Sequence, residues 1–294
     1  MTHQLSAPGS IAFDVHPTAQ IHPEAQLDKS VRVGAFTVIG PHVVIGPNTR
    51  IASHVVIDGW TRIGADNEIH AGAILGTAPQ DLRYRGEESH VRIGDRNVIR
   101  EYVTINRAYN HLGATVVGND NLLMAYTHVA HNCVLGNGII MTNYSGLAGH
   151  VEIEDFVVLG GMAGVHQFVR IGTMAMVGGA AKVIKDIPPY SIVDGQPARI
   201  YEINSIGLKR RGIKPNVRAA LRQAFRLITR SGLNLPEALE AVRQQVHFYP
   251  EIEHLVSFMG QKSRMGVLMR FAERNGNGRQ HRGEAHREGT PVTD

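Results

Sequence analysis

Cross-links are scarce in this chain: its one cysteine, Cys133, excludes an intramolecular disulfide framework and fits a reducing compartment. Aromatic residues make up only 6%, with one tryptophan, so any core must be built from aliphatic side chains. No uninterrupted apolar run approaches the ~20 residues that span a bilayer. The N-terminus, MTHQLSAPGSIAFDVHP, lacks a basic segment followed by an apolar stretch, so no secretory signal is expected. Charged residues are 19% of the total, and the formal charge of +4 suits an acidic partner without calling for nucleic acid. A soluble cytoplasmic protein with no membrane insertion is expected, its 294 residues forming one large domain or two modest ones.

What the chain does have is a beat. Starting at Val15 and stepping by six to Val183, 26 of 29 positions are aliphatic, the exceptions being Asp81, Glu87 and His111. Four residues after each anchor runs a second channel, from Ala19 to Ala181, in which 21 of 28 positions are Ala, Val, Thr, Ser or Cys. An α-helix repeats its apolar stripe every 3.6 residues, and a simple strand alternates every two. A six-residue unit instead marks a parallel β-helix. Three units make one triangular coil of about 18 residues, and coils stack at roughly 4.8 Å. The fold expected is therefore mainly β, a triangular prism of hexapeptide repeats over 11–190. The 32 glycines hint at many turns.

Two interruptions keep the phase, which marks them as loops protruding from the prism near 77–90 and 106–115. Beyond IKDIPPYSIVDGQPARI the pattern turns helical, giving a small C-terminal α-helical domain over 191–272. One helix is expected to start beside Asn216, a candidate cap, and to stop at Gly232; NLPEALEAVRQQV and PEIEHLVSFMGQ read as two more. Arg218, Arg222, Arg226 and Arg230 form a four-residue basic stripe, either a solvated face or a dock for an acidic protein. The polar segment 273–294 is expected to be disordered.

Coil stacking gives each histidine an address. His131 lies below Gly149, with Gln167 above it, and Asn132 lies below His150. His131, His150 and His166 therefore occupy neighbouring columns near one edge, roughly 5 to 10 Å apart. Cys133 falls in the inward channel and reads as packing, whereas His128 should point outward. Zinc needs several nitrogens ~2.0–2.1 Å from one point, which residues two coils apart do not offer within one chain. A metal-dependent enzyme of gamma-carbonic-anhydrase type remains an alternative, through ligands shared between subunits. The favoured reading is a neutral imidazole acting as a base, with no metal and no cofactor.

VHPTAQI, QDLRY, DRNVIREYVTI, DNLLMAYTHVAHNC, LAGHVEIEDF, GGMAGVHQF and GLKRRG follow one another in this order. With them the chain resembles the UDP-N-acetylglucosamine acyltransferases of lipid A biosynthesis. The resemblance implies a left-handed coil, a homotrimer with sites between subunits, and transfer of a 3-hydroxyacyl group from acyl carrier protein to the sugar 3-hydroxyl of UDP-N-acetylglucosamine. It implies His131 as general base and the Gly149 N–H as oxyanion donor. Asp81, Arg83, His128, His150 and Gln167 would hold sugar and phosphates, and His166 would line the cleft. Asn204, Arg210 and Arg211 would meet the nucleotide. Gly179, with Met176 nearby, falls at the family's acyl-length ruler, and the missing side chain implies a longer chain.

Three positions depart from the family pattern. Asn132 stands where Asp is usual, Asn106 where His is usual, and Ile206 where an acidic residue is usual. They bear on which sugar is accepted, so a relative acylating a 3-amino sugar nucleotide is the second alternative.

Overall fold

A computed structural model describes residues 14–269. Residues 11–13 and 270–272, and the tail 273–294 expected to be disordered, lie outside these described residues. Within them the chain winds as a left-handed triangular β-helix. Its three sheets have nine, eight and ten strands among the described residues, all parallel except the last strand of the third. The first face carries His128–Val129, Gly146–Leu147 and Gly164–Val165; the second carries Val134–Leu135 and Glu152–Ile153. Ile140–Met141 and Val158–Leu159 lie on the third.

Register follows from hydrogen bonding between coils. The N–H of His128 reaches the Ser145 carbonyl at 3.1 Å, and that of Val134 reaches Val151 at 2.9 Å. His128 thereby stands below Gly146, and Gly146 below Gly164. Every coil turns its anchor inward, and Ile39, Ile57, Leu75, Ile105, Val129, Leu147, Val165 and Val183 are all buried. Such a stack burys aliphatic surface at roughly 25 cal/mol per Å², which a single coil cannot do alone.

The inner small channel includes three asparagines, Asn67, Asn97 and Asn121, also buried. They satisfy one another: the Asn97 amide donates to Asn67 Oδ1 at 3.0 Å, and the Asn121 N–H donates to Asn97 Oδ1 at 3.0 Å.

Glycine proves less a turn residue here than a spacer. Corners hold side-chain-bearing residues in the left-handed region, such as Tyr126, Asn132, Tyr144 and His150 at φ 60–62°. That conformation costs roughly 1–2 kcal/mol for an L-residue, and the stacked corners above and below hold it. Glycines sit instead where coils touch: a Cβ on Gly46 would lie 2.7 Å from the Gly64 carbonyl carbon.

The stretch 191–272, read from sequence as helical, begins with strands. Ser191–Gly195 and Ala198–Ile203 form an antiparallel hairpin that ends the third sheet, with Val193 opposite Ile200 and an irregularity between Ile192 and Val193. Helices then follow: α1 (Ser205–Arg210), α2 (Pro215–Arg230), α3 (Leu235–Gln245) and α4 (Pro250–Gly260). Asn216 does not cap α2. Pro215 occupies the first turn behind an extended Lys214, and the Asn216 amide donates to the Tyr249 hydroxyl at 2.8 Å. Asn234 does cap α3, in a reciprocal box with Glu237.

Two polar contacts bind the helices to the prism. Buried Asp186 accepts from Arg170 Nε at 2.8 Å, while Arg170 lies over Phe258 of α4. His254 of α4 bridges the Tyr190 hydroxyl (2.9 Å) and Glu154 (3.0 Å).

Most threonines of the inner channel find an acceptor, as Thr37 does on the Ala52 carbonyl at 2.8 Å. Thr127 does not: its hydroxyl is buried with no partner among the described residues. An unpartnered buried hydroxyl costs about 1–3 kcal/mol. Thr127→Val, which keeps the shape, should therefore stabilise the fold by about 1 kcal/mol. A raised urea midpoint at constant slope checks this; an unchanged or lower midpoint counts against it.

Candidate active site

The two protruding loops leave the prism at the same edge, between the first and second faces, and fold over His131. Leu112 N–H binds the Glu88 carbonyl at 2.8 Å, and Arg107 binds the Tyr84 hydroxyl at 2.8 Å, so the loops brace each other. Asp81 Oδ2 arrives 3.6 Å from His131 Nε2. Arg83 clamps Asp81 through Nε at 3.0 Å and Nη2 at 2.7 Å, and its guanidinium lies 4.5 Å over the Tyr109 ring.

His131 lies flat against Gly149. A Cβ there would sit 2.5 Å from His131 Nε2, so only glycine leaves room for the ring. Among the described residues, the Gly149 N–H has no acceptor within the chain. His150 packs edge-on to His131 with ring centroids 5.3 Å apart, and stacks on Phe168 at 4.6 Å. His128, outward on its strand, shares a 2.7 Å hydrogen bond with Thr104.

A cleft of about 530 Å³ runs along the first face, lined by Gln80, His128, His131, Gly149, His166 and Lys182. Its floor is flat because Gly146 and Gly164 stand one above the other, and a Cβ on either would meet nothing within 4 Å. The chain's own packing does not require those two glycines; they keep the groove open.

Burial pushes the His128 imidazole pKa down, with His131 adding to the effect. His150 is lowered by burial first, then by His131 and Arg83. Both rings are therefore disposed to be neutral. The Asp81 carboxyl is held far below the usual carboxylate range, first by the Arg83 side chain and then by its N–H. The resulting floor combines neutral imidazoles, a fixed carboxylate–guanidinium pair and a free main-chain N–H. It can take up a proton and steady a developing oxyanion.

Not every candidate meets there. Gln167 is exposed beside His166 on the same edge. Met176 is on the third face, and Gly179 is at the turn leading back to the first, where a Cβ would approach only the Gly161 carbonyl at 3.4 Å. Asn204 is buried, donating to the Met174 carbonyl at 2.9 Å and capping α1 through Gly207 N–H at 3.0 Å. Arg210 is exposed at the end of α1, and Arg211 lies 3.7 Å over Phe156, on the edge between the second and third faces. One chain thus separates these residues from His131. Of the departures, Asn106 is buried with its Oδ1 unpartnered, its amide donating to Thr77 at 3.2 Å, and Ile206 is exposed.

On α2 the basic stripe lies opposite the buried Val217, Leu221, Phe225 and Ile228. A four-residue step drifts about 40° per repeat. Arg218 is accordingly partly buried, with Nε unpartnered, while Arg222, Arg226 and Arg230 are exposed.

Tyr109 and Asn110 escaped the sequence reading. Loop residues carry no period, and the only signal was the insertion at the histidine edge. Among the described residues, no three His, Cys, Asp or Glu side chains converge on a metal-sized point. Cys133 is fully buried, donates to the Ala148 carbonyl, and is pushed up to about 12 by burial. It should resist iodoacetamide at pH 8 until the protein is unfolded; rapid labelling of the native protein would refute that.

The comparisons with known proteins agree with this architecture. Residues 186–268 match the family described as UDP-N-acetylglucosamine O-acyltransferase, domain 2, and residues 24–59 match bacterial transferase hexapeptide repeats. The acyl-[acyl-carrier-protein]–UDP-N-acetylglucosamine O-acyltransferase of Syntrophobacter fumaroxidans is 45% identical over 256 residues, 86% of this chain and 99% of that protein. Its counterpart in Chlorobaculum parvum is 59% identical over 198 residues, 67% of this chain and 75% of the relative. Among solved structures, the UDP-N-acetylglucosamine acyltransferase of Bacteroides fragilis superposes with TM-score 0.84 at 43% identity, over 86% of this chain and 99% of that one. The Francisella novicida enzyme gives 0.85 at 40% identity, over 88% and 95%. The chain belongs to the UDP-N-acetylglucosamine O-acyltransferase family.

Proposed function

We propose that this protein transfers a 3-hydroxyacyl group from acyl carrier protein to the 3-hydroxyl of UDP-N-acetylglucosamine, the first step of lipid A biosynthesis, in the cytoplasm. One observation carries the chemistry: a cleft-lining imidazole lies against a glycine whose N–H is free. His131 Nε2 takes the proton of the sugar 3-hydroxyl as that oxygen attacks the thioester carbonyl. The carbonyl oxygen, now negative, is met by the Gly149 N–H, a donor worth about 3 kcal/mol. Collapse breaks the C–S bond, and the proton leaves with the carrier's thiol.

Asp81, fixed by Arg83, would orient the sugar, with His128 and His150 as neutral hydrogen-bonding partners. His166 and Gln167 would meet the substrate further along the same edge. The flat glycine floor suits an alkyl chain, and the open space at Gly179, with Met176 nearby, fits a longer acyl group.

A homotrimer would complete the site. Outward positions of the third face are charged in its first coils, at Arg32, Arg50 and Glu68, and apolar from there on, at Val98, Leu122, Ile140, Val158 and Met176. The edge shared by the first and third faces bears Tyr102, Tyr126 and Tyr144 stacked at 5.0 Å, yet 48–61% exposed. Three copies meeting along that edge would bury it. Each first face would then confront the next copy's third face, whose outer rim carries Arg210 and Arg211.

His131→Ala should lower turnover by about 10²–10⁴-fold while the protein still sediments as a trimer; near-normal turnover rejects the assignment. The exposed arginines of α2 suit an acidic carrier protein. Arg222→Glu with Arg226→Glu should raise KM for acyl carrier protein severalfold, an effect that added salt reproduces in the unaltered enzyme; an unchanged KM makes the stripe ordinary surface.

A further inference from the structure

Asn132 stands between His131 and the 107–113 loop, and its amide faces three partners at once. The Tyr109 N–H points at its Oδ1 from 3.1 Å, its Nδ2 lies 2.6 Å from Asn110 Oδ1, and the same Oδ1 lies 3.1 Å from His131 Nδ1. A main-chain N–H can only donate, so the end of the amide facing Tyr109 must be the oxygen. An oxygen cannot donate to Nδ1 either. The hydrogen bond to His131 therefore exists only if Nδ1 carries the proton, which leaves the Nε2 lone pair bare toward Asp81 and the cleft.

We infer that the loop segment Tyr109–Asn110 is a positioning device that sets the tautomer of His131 by fixing which way the Asn132 amide faces. This rests on the reading of His131 as the base. Without the loop, a half-turn of the amide would present NH2 to the imidazole. That orientation favours the lone pair on Nδ1 and the proton on Nε2, where no proton can be accepted. A carboxylate at 132 would have no such dependence, since both of its ends accept. The asparagine makes the base conditional on the loop.

The surroundings fit a latch. The Tyr109 ring packs edge-on against His131 (5.3 Å) and His150 (5.6 Å), with Arg83 on it. Thr115, fully buried, accepts the Asn132 N–H at 2.8 Å and holds the backbone beneath. Gly113 leaves space for Asn110: a Cβ there would come within 2.6 Å of the Asn110 amide nitrogen.

The test combines a spectroscopic and a kinetic readout. In protein with ring-¹⁵N histidine, His131 identified by difference from His131→Gln should show a protonated Nδ1. Asn110→Ala should move the population toward Nε2–H, and lower kcat about five- to tenfold with KM for UDP-N-acetylglucosamine unchanged within about twofold. In an Asn132→Asp background the same Asn110→Ala change should cost less than about twofold. Any of three results overturns the latch: Nε2–H in the unaltered protein, no change of tautomer in Asn110→Ala, or equal kinetic losses in both backgrounds. The tautomer is read without substrate, so the latch stands or falls separately from the base assignment, which the His131→Ala assay decides.

Discussion

The vertical hydrogen bond from each coil to the next governs this molecule. Once the N–H of His128 is paired to Ser145 and that of Val134 to Val151, side chains 18 residues apart must share a column. That one constraint turns the six-residue beat into a rigid ruler. It stacks the anchors into a core and Tyr126 on Tyr144, and it places the His131 ring against Gly149. It also allows left-handed corners such as Asn132 and His150, because neighbouring coils brace a conformation that would be costly in isolation.

Chemistry is confined to the edge where that ruler is interrupted. Loops inserted between complete coils leave the register intact, so they can vary without disturbing the core. Both emerge beside His131 and bring it a carboxylate, a guanidinium and an aromatic ring. The prism supplies an imidazole set against a glycine N–H; the loops supply the charged and aromatic groups that surround it. Elsewhere the first face is stripped to Gly146 and Gly164, leaving a smooth track suited to a hydrocarbon chain.

Surface character divides by face in the same way. Charges and apolar residues are mixed on the second face, while from Val98 on the third face is apolar outward and its shared edge carries stacked tyrosines. Asn204 and Arg211 lie away from His131 within one chain, so a site that uses both sets must draw on two copies. The helices add a basic outer surface whose arginines face solvent because Phe225 and its neighbours face the core.

The sequence by itself determined whatever repeats. Period six fixed the coil, the inward anchors, the burial of Cys133 and the juxtaposition of His131 with Gly149, since each depends only on counting along the chain. Asparagine in the inner channel was visible but its ladder was not, because hydrogen bonds between columns depend on side-chain geometry. Tertiary structure alone decided the aperiodic parts: the hairpin at 191–203, the failure of Asn216 to cap α2, and the fold of Asp81 and Tyr109 over the imidazole. Those positions are set by contacts between distant segments, and no local pattern encodes where a loop comes to rest.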